Sequence, residues 1–114
     1  MAQDPFNAVR RDVEEALAES HHLFQSWQRI SQTVRTRDNE ELLGAARDVR
    51  SVLSGIEGDL QDLESAITTS ERNSMRYGLS MGDIQERKRF LRDTQASVQQ
   101  MRMAMRDDEI KVFF

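Results

Sequence analysis

The chain has 114 residues, of which 38% are hydrophobic and 32% charged, with a formal net charge of −4 and no cysteine. Its length fits a single domain, the lack of cysteine excludes disulfides and thiolate metal sites, and the acidic balance argues against nucleic-acid binding. No stretch approaches the roughly 18 consecutive apolar residues that span a bilayer, and no signal peptide opens the chain. We therefore expect a soluble domain, whose parent protein can carry a membrane anchor beyond this segment.

The first predicted helix covers residues 5–36. Asp4 is a suitable cap, and Pro5 suits the first helical position because its missing N–H would have no partner there. Apolar residues then recur at alternating steps of three and four, which places one stripe along one side of a helix. We expect Trp27, which lies on this stripe, to belong to the core. The stripe comprises Phe6, Val9, Val13, Ala16, Ser20, Leu23, Trp27, Ile30 and Val34.

The second predicted helix covers residues 39–72. It begins at a capping box, in which Asp38 caps the helix and Glu41 lies three residues later. Its interior contains three glycines, although glycine weakens a helix: Gly44, Gly55 and Gly58. They indicate close helix contact or plain tolerance, or else a shallow spot where a partner approaches the backbone. The apolar stripe comprises Leu42, Ala46, Val49, Leu53, Ile56, Leu60, Leu63 and Ile67.

The one long predicted loop, residues 73–82, contains the only tyrosine and two methionines, so it is more than a hydrophilic connector. Ser80 and Asp83 give a cap signal for a third helix over residues 81–106. The stripe of this helix comprises Ile84, Arg87, Leu91, Thr94, Val98, Met101 and Met105. Because Arg87 lies on the stripe, we expect its guanidinium either to reach out of the seam or to pair with an acidic residue of the second helix.

Short connections make the helices antiparallel, which predicts an all-α, up-down-up three-helix bundle over residues 1–106. Residues 107–114 are expected to form a frayed tail or the start of a linker. The start of the first helix and the 73–82 loop then fall at the same end. Acidic residues dominate the second helix and basic residues the third, so opposite charges should help to set their register.

Few residues of the chain point to chemistry. Glu19 and His22 have the spacing found in di-iron bundles, but such a site needs a second pair and further inward carboxylates. The only histidines are the neighbours His21 and His22, so we expect a solvated face, no metal and no cofactor. The chain also lacks a nucleophile–base set and a phosphate-binding glycine loop, which predicts a binding module and no enzyme. The basic run Arg87–Arg89 indicates a solvated face, or else a localisation signal or an anionic-membrane contact.

Several short segments occur in a recognisable order. They are Asp4-Pro5-Phe6, then Leu23-Phe24-Gln25-x-Trp27, Ile56-Glu57-x-Asp59-Leu60-x-Asp62-Leu63, Arg76-Tyr77-x-Leu79 and Arg87-Lys88. In this order they resemble the N-terminal, Habc-like three-helix domain of syntaxin 6-type SNARE proteins. The likeness extends to about Met105 but departs at Gly58, where the family often has a bulky aromatic residue. A fungal member of the family is the expected source.

The resemblance implies a regulatory, protein-binding domain of a tail-anchored SNARE on the cytosolic face of trans-Golgi network and endosomal membranes. The parent would act in endosome-to-trans-Golgi vesicle traffic with cognate SNAREs, through a SNARE motif that follows residues 107–114. The bundle itself would neither insert into nor fuse membranes. It would recruit a subunit of a tethering complex, and the Golgi-associated retrograde protein complex is the prime candidate.

The expected binding patch lies where the first helix begins and the 73–82 loop returns, because these segments cluster and the loop presents an aromatic residue. We expect a monomer whose patch is formed or bordered by Asp4, Pro5, Phe6, Arg76, Tyr77 and Leu79. Two other classes remain open. A spectrin-type structural repeat also has three long helices, and a free-standing helical adaptor would show the same periodicity.

Overall fold

Three long helices account for most of the chain. The computed structural model describes residues 3–36 and 38–112, with side chains as far as Arg106. The helices are α1 (Phe6–Thr33), α2 (Glu40–Arg72) and α3 (Met81–Val112). Helix α2 packs along both neighbours, in a bundle that measures 58 × 24 × 17 Å. The predicted all-α, up-down-up, antiparallel three-helix bundle is confirmed.

The connection between α1 and α2 differs in detail from the prediction. Helix α1 ends at Thr33, earlier than expected. The cap of α2 is Asn39, whose Oδ1 accepts hydrogen bonds from the amides of Glu41 and Leu42 at 2.9 and 3.1 Å. The capping box predicted from Asp38 is therefore wrong, because Asn39 is one residue nearer the helix and satisfies two amides that would otherwise lack partners.

The N-terminus of α3 has the capping box that its sequence predicts. The Ser80 amide donates to Asp83 Oδ2 at 2.9 Å, and the Asp83 amide donates to Ser80 Oγ at 3.0 Å. The hydrogen bond from the Ser80 amide is the main reason why the pKa of Asp83 lies below its usual value. The reciprocal bonds fix the point at which the loop becomes a helix.

The C-terminal end of α3 lies beyond the expected bound at residue 106, since the helix continues to Val112. No glycine or proline follows Gly82 in the sequence, so the backbone meets no residue that breaks a helix. Helical backbone thus occupies 107–112, where we expected a frayed tail. Residues 113 and 114 lie outside the described part of the chain.

The core forms one continuous seam along α2. Four side chains of this helix are completely buried: Val49, Leu53, Ile56 and Leu63. From the flanking helices, the buried apolar residues are Phe6, Val13 and Trp27 of α1 and Ile84, Val98, Met101 and Met105 of α3. Each large buried side chain contributes about 1.5–3 kcal/mol relative to an exposed one, so this seam is the main source of stability.

Opposite charges meet across the groove between α2 and α3. Lys88 Nζ lies 2.8 Å from Glu71 Oε2, and Arg102 pairs with Glu57 while donating to Ser54 Oγ at 2.9 Å. Both ion pairs are half-exposed, so each contributes under about 1 kcal/mol. They join the acidic α2 to the basic α3 in the antiparallel register.

The glycines of α2 have no packing role inside the bundle. A Cβ built on Gly44, Gly55 or Gly58 would meet no atom within 4 Å outside the helix's own local backbone. Close contact between helices, one of the two structural explanations for these glycines, is therefore excluded. In contrast, Gly78 in the loop has a φ of 66°, a left-handed conformation that glycine adopts without strain.

We predict that Gly55→Ala and Gly58→Ala each raise the free energy of unfolding by about 0.5–1 kcal/mol, because alanine loses less backbone entropy in a helix. The matched substitution Gly78→Ala should lower it by about 1 kcal/mol, because a Cβ is strained at positive φ. Urea denaturation followed by circular dichroism measures all three. A destabilised Gly55→Ala variant would contradict the open surface described for α2.

Candidate protein-binding site at the loop end of the bundle

The start of α1 and the loop between α2 and α3 meet at one end of the bundle, as the sequence predicts. We call this region the loop end: residues 3–6, the last turn of α2 and residues 73–84. The Ser70 hydroxyl lies 2.9 Å from Asp4 Oδ1, which ties the segment before α1 to the end of α2. Residues far apart in sequence thus form one surface.

The loop end is held from beneath by an ion pair between Asp4 and Arg87. Arg87 Nη2 lies 2.7 Å from Asp4 Oδ2, and Nη1 donates to Asp4 Oδ1 at 3.0 Å, so the contact is bidentate. The side chain of Asp4 is only 17% exposed, and that of Arg87 only 10%. Arg87 Nη1 also donates to the hydroxyl of Ser70 at 3.0 Å, and this hydroxyl lies 2.8 Å from the carbonyl oxygen of Ala66. One cluster therefore joins all three helices.

The two outcomes expected for Arg87 were both wrong. Its guanidinium does not reach out of the seam, and its acidic partner does not belong to α2. The partner is Asp4, which precedes α1 and also accepts the Phe6 amide at 3.1 Å. We expected Asp4 to cap α1, and its carboxylate does accept the Phe6 amide. It also neutralises the buried guanidinium of Arg87.

Aromatic rings complete this cluster. Phe6 is 1% exposed, and the Arg87 guanidinium carbon lies 4.3 Å from its ring centroid. Phe90 meets Phe6 edge-on, with centroids 6.5 Å apart and planes at 85°. Arg10 stacks over Phe90 at 4.5 Å. Each of the two guanidinium groups therefore lies against an aromatic ring, and the attraction between a cation and a ring face stabilises both.

The carboxyl group of Asp4 is tuned by opposing effects. Burial alone would raise its pKa, but hydrogen bonds from Arg87, the Phe6 amide and Ser70, with the charge of Arg87, outweigh burial. Its pKa therefore lies below the ordinary value of 3.8. A depressed pKa means that Asp4 stabilises the fold above about pH 4, and that this contribution is lost as the pH falls through its folded-state value.

The six residues of the predicted patch all lie at the loop end but divide into two groups. Phe6 is buried and Asp4 is engaged by Arg87, so these two hold the fold. Arg76 is exposed, while Pro5, Tyr77 and Leu79 are half-buried. That these residues bind a partner stays a prediction.

The loop itself is an ordered series of turns. The Tyr77 amide donates to the carbonyl of Asn73 at 3.0 Å, and the Leu79 amide donates to that of Ser74 at 2.8 Å. Gly78 supplies the left-handed residue between them. The loop therefore holds Tyr77 and Leu79 in fixed positions at the surface.

Sequence reasoning missed two exposed methionines beside this loop. Met75 is 96% and Met81 79% exposed, which is unusual for large apolar side chains. Met81 borders a shallow depression of about 260 Å³, which we call the loop-end pit: Glu71, Ser74, Leu79, Ser80, Met81 and Ile84. The two methionines within a predicted loop were the available signal.

Other candidate residues have structural explanations. Trp27 is 6% exposed and stacks on Phe24 at 5.5 Å, which confirms its place in the core, although its indole N–H is buried without an acceptor among the described residues. His21 and His22 are exposed. Within residues 3–36 and 38–106, no three acidic, histidine or cysteine side chains are grouped so that they could hold a metal.

The basic run of α3 is divided by its contacts. Arg87 is buried in its ion pair with Asp4, and Lys88 pairs with Glu71 at the surface. Arg89 is exposed. Of the helices in the described part of the chain, none has the length and apolar character needed to cross a bilayer. The run is therefore chiefly part of the scaffold.

The bundle uses its buried residues as scaffold and presents an ordered, partly apolar end, an architecture that we expect of a helical protein-interaction domain. Comparison with known proteins is more specific. The chain belongs to the syntaxin 6/10/61 N-terminal domain family, whose model matches residues 4–102. The family resemblance read from the sequence is confirmed.

Several syntaxins are similar to the chain. It is 37% identical to syntaxin-10 of Homo sapiens over 100 residues, which cover 88% of the chain and 40% of that protein. It is 30% identical to human syntaxin-6 over 109 residues, covering 96% of the chain and 43% of that protein. Syntaxin-61 of Arabidopsis thaliana is 25% identical over 101 residues, covering 89% and 39%. The chain thus spans about two fifths of the length of these relatives.

Family membership decides among the classes left open by the sequence. It favours a syntaxin domain over a spectrin-type repeat or an unrelated adaptor. Syntaxins are SNARE proteins without enzymatic activity, so the prediction that the chain is not an enzyme is confirmed by its family.

We predict that Asp4→Asn lowers the free energy of unfolding by about 3 kcal/mol at pH 7, because Arg87 is left buried without its counter-charge. The loss should shrink as the pH falls below about 4, because Asp4 then begins to take up a proton in the unfolded chain, and it should disappear once the pH passes the lower folded-state pKa of Asp4. Urea denaturation at pH 7 and pH 3 measures it. Asp12→Asn, at an exposed position of α1, is the control and should show neither effect. An equal loss at both pH values would contradict the role of the Asp4 charge.

Proposed function

We propose that this domain recruits a subunit of a tethering complex to a SNARE that acts in vesicle traffic from endosomes to the trans-Golgi network. The Golgi-associated retrograde protein complex is the candidate. Family membership supports a role in SNARE-mediated traffic. The observation that carries the binding role is the exposed, ordered loop beside a buried polar cluster.

The loop end suits recognition of a short segment for a physical reason. The Asp4–Arg87 pair and the turn bonds hold the loop in place before a partner arrives, so less conformational entropy is lost on binding. Arg76 offers an exposed charge, and Tyr77 and Leu79 offer apolar area at half-buried positions. Arginine and tyrosine are enriched among the residues that contribute most to protein interfaces.

The parent protein, by this proposal, is a tail-anchored SNARE on the cytosolic face of trans-Golgi network and endosomal membranes. Its partners would include cognate SNAREs, which would bind parts of the protein outside this chain. The present domain would act as a monomer and would not insert into the bilayer. Its contribution would be to choose the tether, and membrane fusion would belong to the rest of the parent.

Labelled peptides that tile the subunits of the Golgi-associated retrograde protein complex provide the test, titrated against the 114-residue chain by fluorescence anisotropy. Arg76→Glu and Tyr77→Ala should each weaken binding of the active peptide at least about fivefold, because each removes a contact at the loop end. Arg47→Glu, an exposed charge reversal near the other end of α2, is the matched control and should leave the affinity unchanged.

Unchanged affinity in both loop variants would exclude the loop end as the tether site. Failure of every peptide to bind would exclude recruitment through a short segment of this complex. Thermal unfolding of each variant must match that of the unmodified chain, since Tyr77 is half-buried.

A further inference from the structure

We infer that Met75 and Met81 form a reversible oxidation site, at which a hydroperoxide changes the surface of the loop end from apolar to polar. The inference goes beyond the proposed function, because it assigns a covalent modification to this end of the bundle. It follows from the exposure of these two side chains, the burial of two other methionines and the chemistry of the thioether group.

The reaction needs only a peroxide and an accessible methionine sulfur. The sulfur attacks one oxygen of hydrogen peroxide, and the O–O bond breaks. The sulfur is oxidised by two electrons to a sulfoxide, while the departing hydroxide takes the proton of the transferred oxygen and leaves as water. The chain has six methionines and no cysteine, so none of its residues is a thiol that competes for the oxidant. Accessibility of the side chain therefore decides which methionines react.

Met75 and Met81 are accessible without any opening of the fold. Met75 is 96% exposed and Met81 79% exposed. The carbonyl of Met75 accepts the Gly78 amide at 3.2 Å, so its backbone is held in a turn while its side chain lies in solvent. Met81 is the first residue of α3, at the edge of the loop-end pit. A sulfoxide oxygen at either position stays hydrated, so oxidation there leaves the core intact.

The core protects two other methionines of the same chain. Met101 and Met105 are each 3% exposed in the seam between α2 and α3. A sulfoxide at either position would place a polar oxygen among apolar side chains, which costs free energy unless a hydrogen bond compensates. Met103 lies between them in sequence but is 55% exposed. Reactivity should therefore alternate along residues 101–105 of one helix, following burial and not sequence context.

Oxidation would change the kind of surface that the loop end presents. Methionine is a flexible apolar side chain, whereas its sulfoxide is polar and chiral. Two of the large apolar side chains that are most exposed in the described part of the chain would become polar together. Sulfoxide reductases reverse the change, since two thiols form a disulfide and the sulfoxide oxygen leaves as water. The loop end can therefore alternate between an apolar and a polar form.

The first test is peroxide treatment of the folded 114-residue chain, with oxidation of each methionine followed by peptide mass spectrometry. Met75 and Met81 should react at least about tenfold faster than Met101 and Met105, with Met103 between the two groups. In guanidinium chloride, which unfolds the core, the rates should agree to within about twofold. Methionine sulfoxide reductases of both stereospecificities, with dithiothreitol as reductant, should restore Met75 and Met81.

The second test measures the surface by hydrophobic-interaction chromatography of the folded chain. The oxidised chain should elute earlier, with its thermal unfolding unchanged. The double variant Met75→Leu/Met81→Leu keeps apolar side chains of similar volume but has no sulfur at these positions. Peroxide should therefore shift its elution much less. Met103→Leu is the matched control, and its elution should shift as much as that of the unmodified chain.

Four results would overturn the inference: equal oxidation rates for the loop-end and core methionines of the folded chain, sulfoxides that the reductases leave unreduced, loss of the fold on oxidation of the loop end, or equal elution shifts in the unmodified chain and the double leucine variant. None of these measurements uses a tether.

A consequence for binding rests on the proposed function. Oxidation should weaken an active tether peptide at least about threefold for the unmodified chain but not for Met75→Leu/Met81→Leu. An unchanged affinity would overturn this consequence. If no tether peptide binds, the proposed function fails, whereas the oxidation rates and elution shifts still decide the inference.

Discussion

A guanidinium buried on an apolar stripe is the constraint on which this structure depends. Arg87 occupies a position where the helical period calls for an apolar residue, and an unpaired charge there would cost several kcal/mol. Asp4 removes that cost by a bidentate contact, and Ser70 and the ring of Phe6 complete the surroundings. The segment before α1 must therefore return to the end of the bundle, which draws α1, α2 and α3 together at one point.

At the loop end, the same ion pair divides the residues into those that hold the fold and those that remain at the surface. Asp4 and Phe6 look like surface determinants in the sequence because they stand together at the start of a helix. In the fold they serve the core, and the surface is left to Arg76 and the apolar residues of the loop. For the partner that we propose, the rigid cluster beneath and the ordered loop above would reduce the rearrangement needed on binding, which would favour recognition of a short segment.

Features that depend on local periodicity could be predicted from the sequence, whereas contacts between distant residues could not. The three stripes, the topology and the Ser80–Asp83 box are properties of neighbouring residues, and all appear as expected. The contact of Asp4 with Arg87 joins positions 83 apart, so no local pattern predicts it. The choice of Asn39 over Asp38 as cap depends on where α2 begins, and pattern places helix ends only to within a few residues. The loop-end pit has no signature in the sequence, because its walls come from two helices and the loop.

A double-mutant cycle between Asp4 and Arg87 tests the central claim most directly. The free energy of unfolding is measured by urea denaturation for the unmodified chain, Asp4→Ala, Arg87→Met and the double variant. If the buried pair joins the three helices as described, the coupling energy should be about 2 kcal/mol or more, and the double variant should be more stable than Asp4→Ala alone. A coupling below about 0.5 kcal/mol, the level of an exposed ion pair, would contradict it.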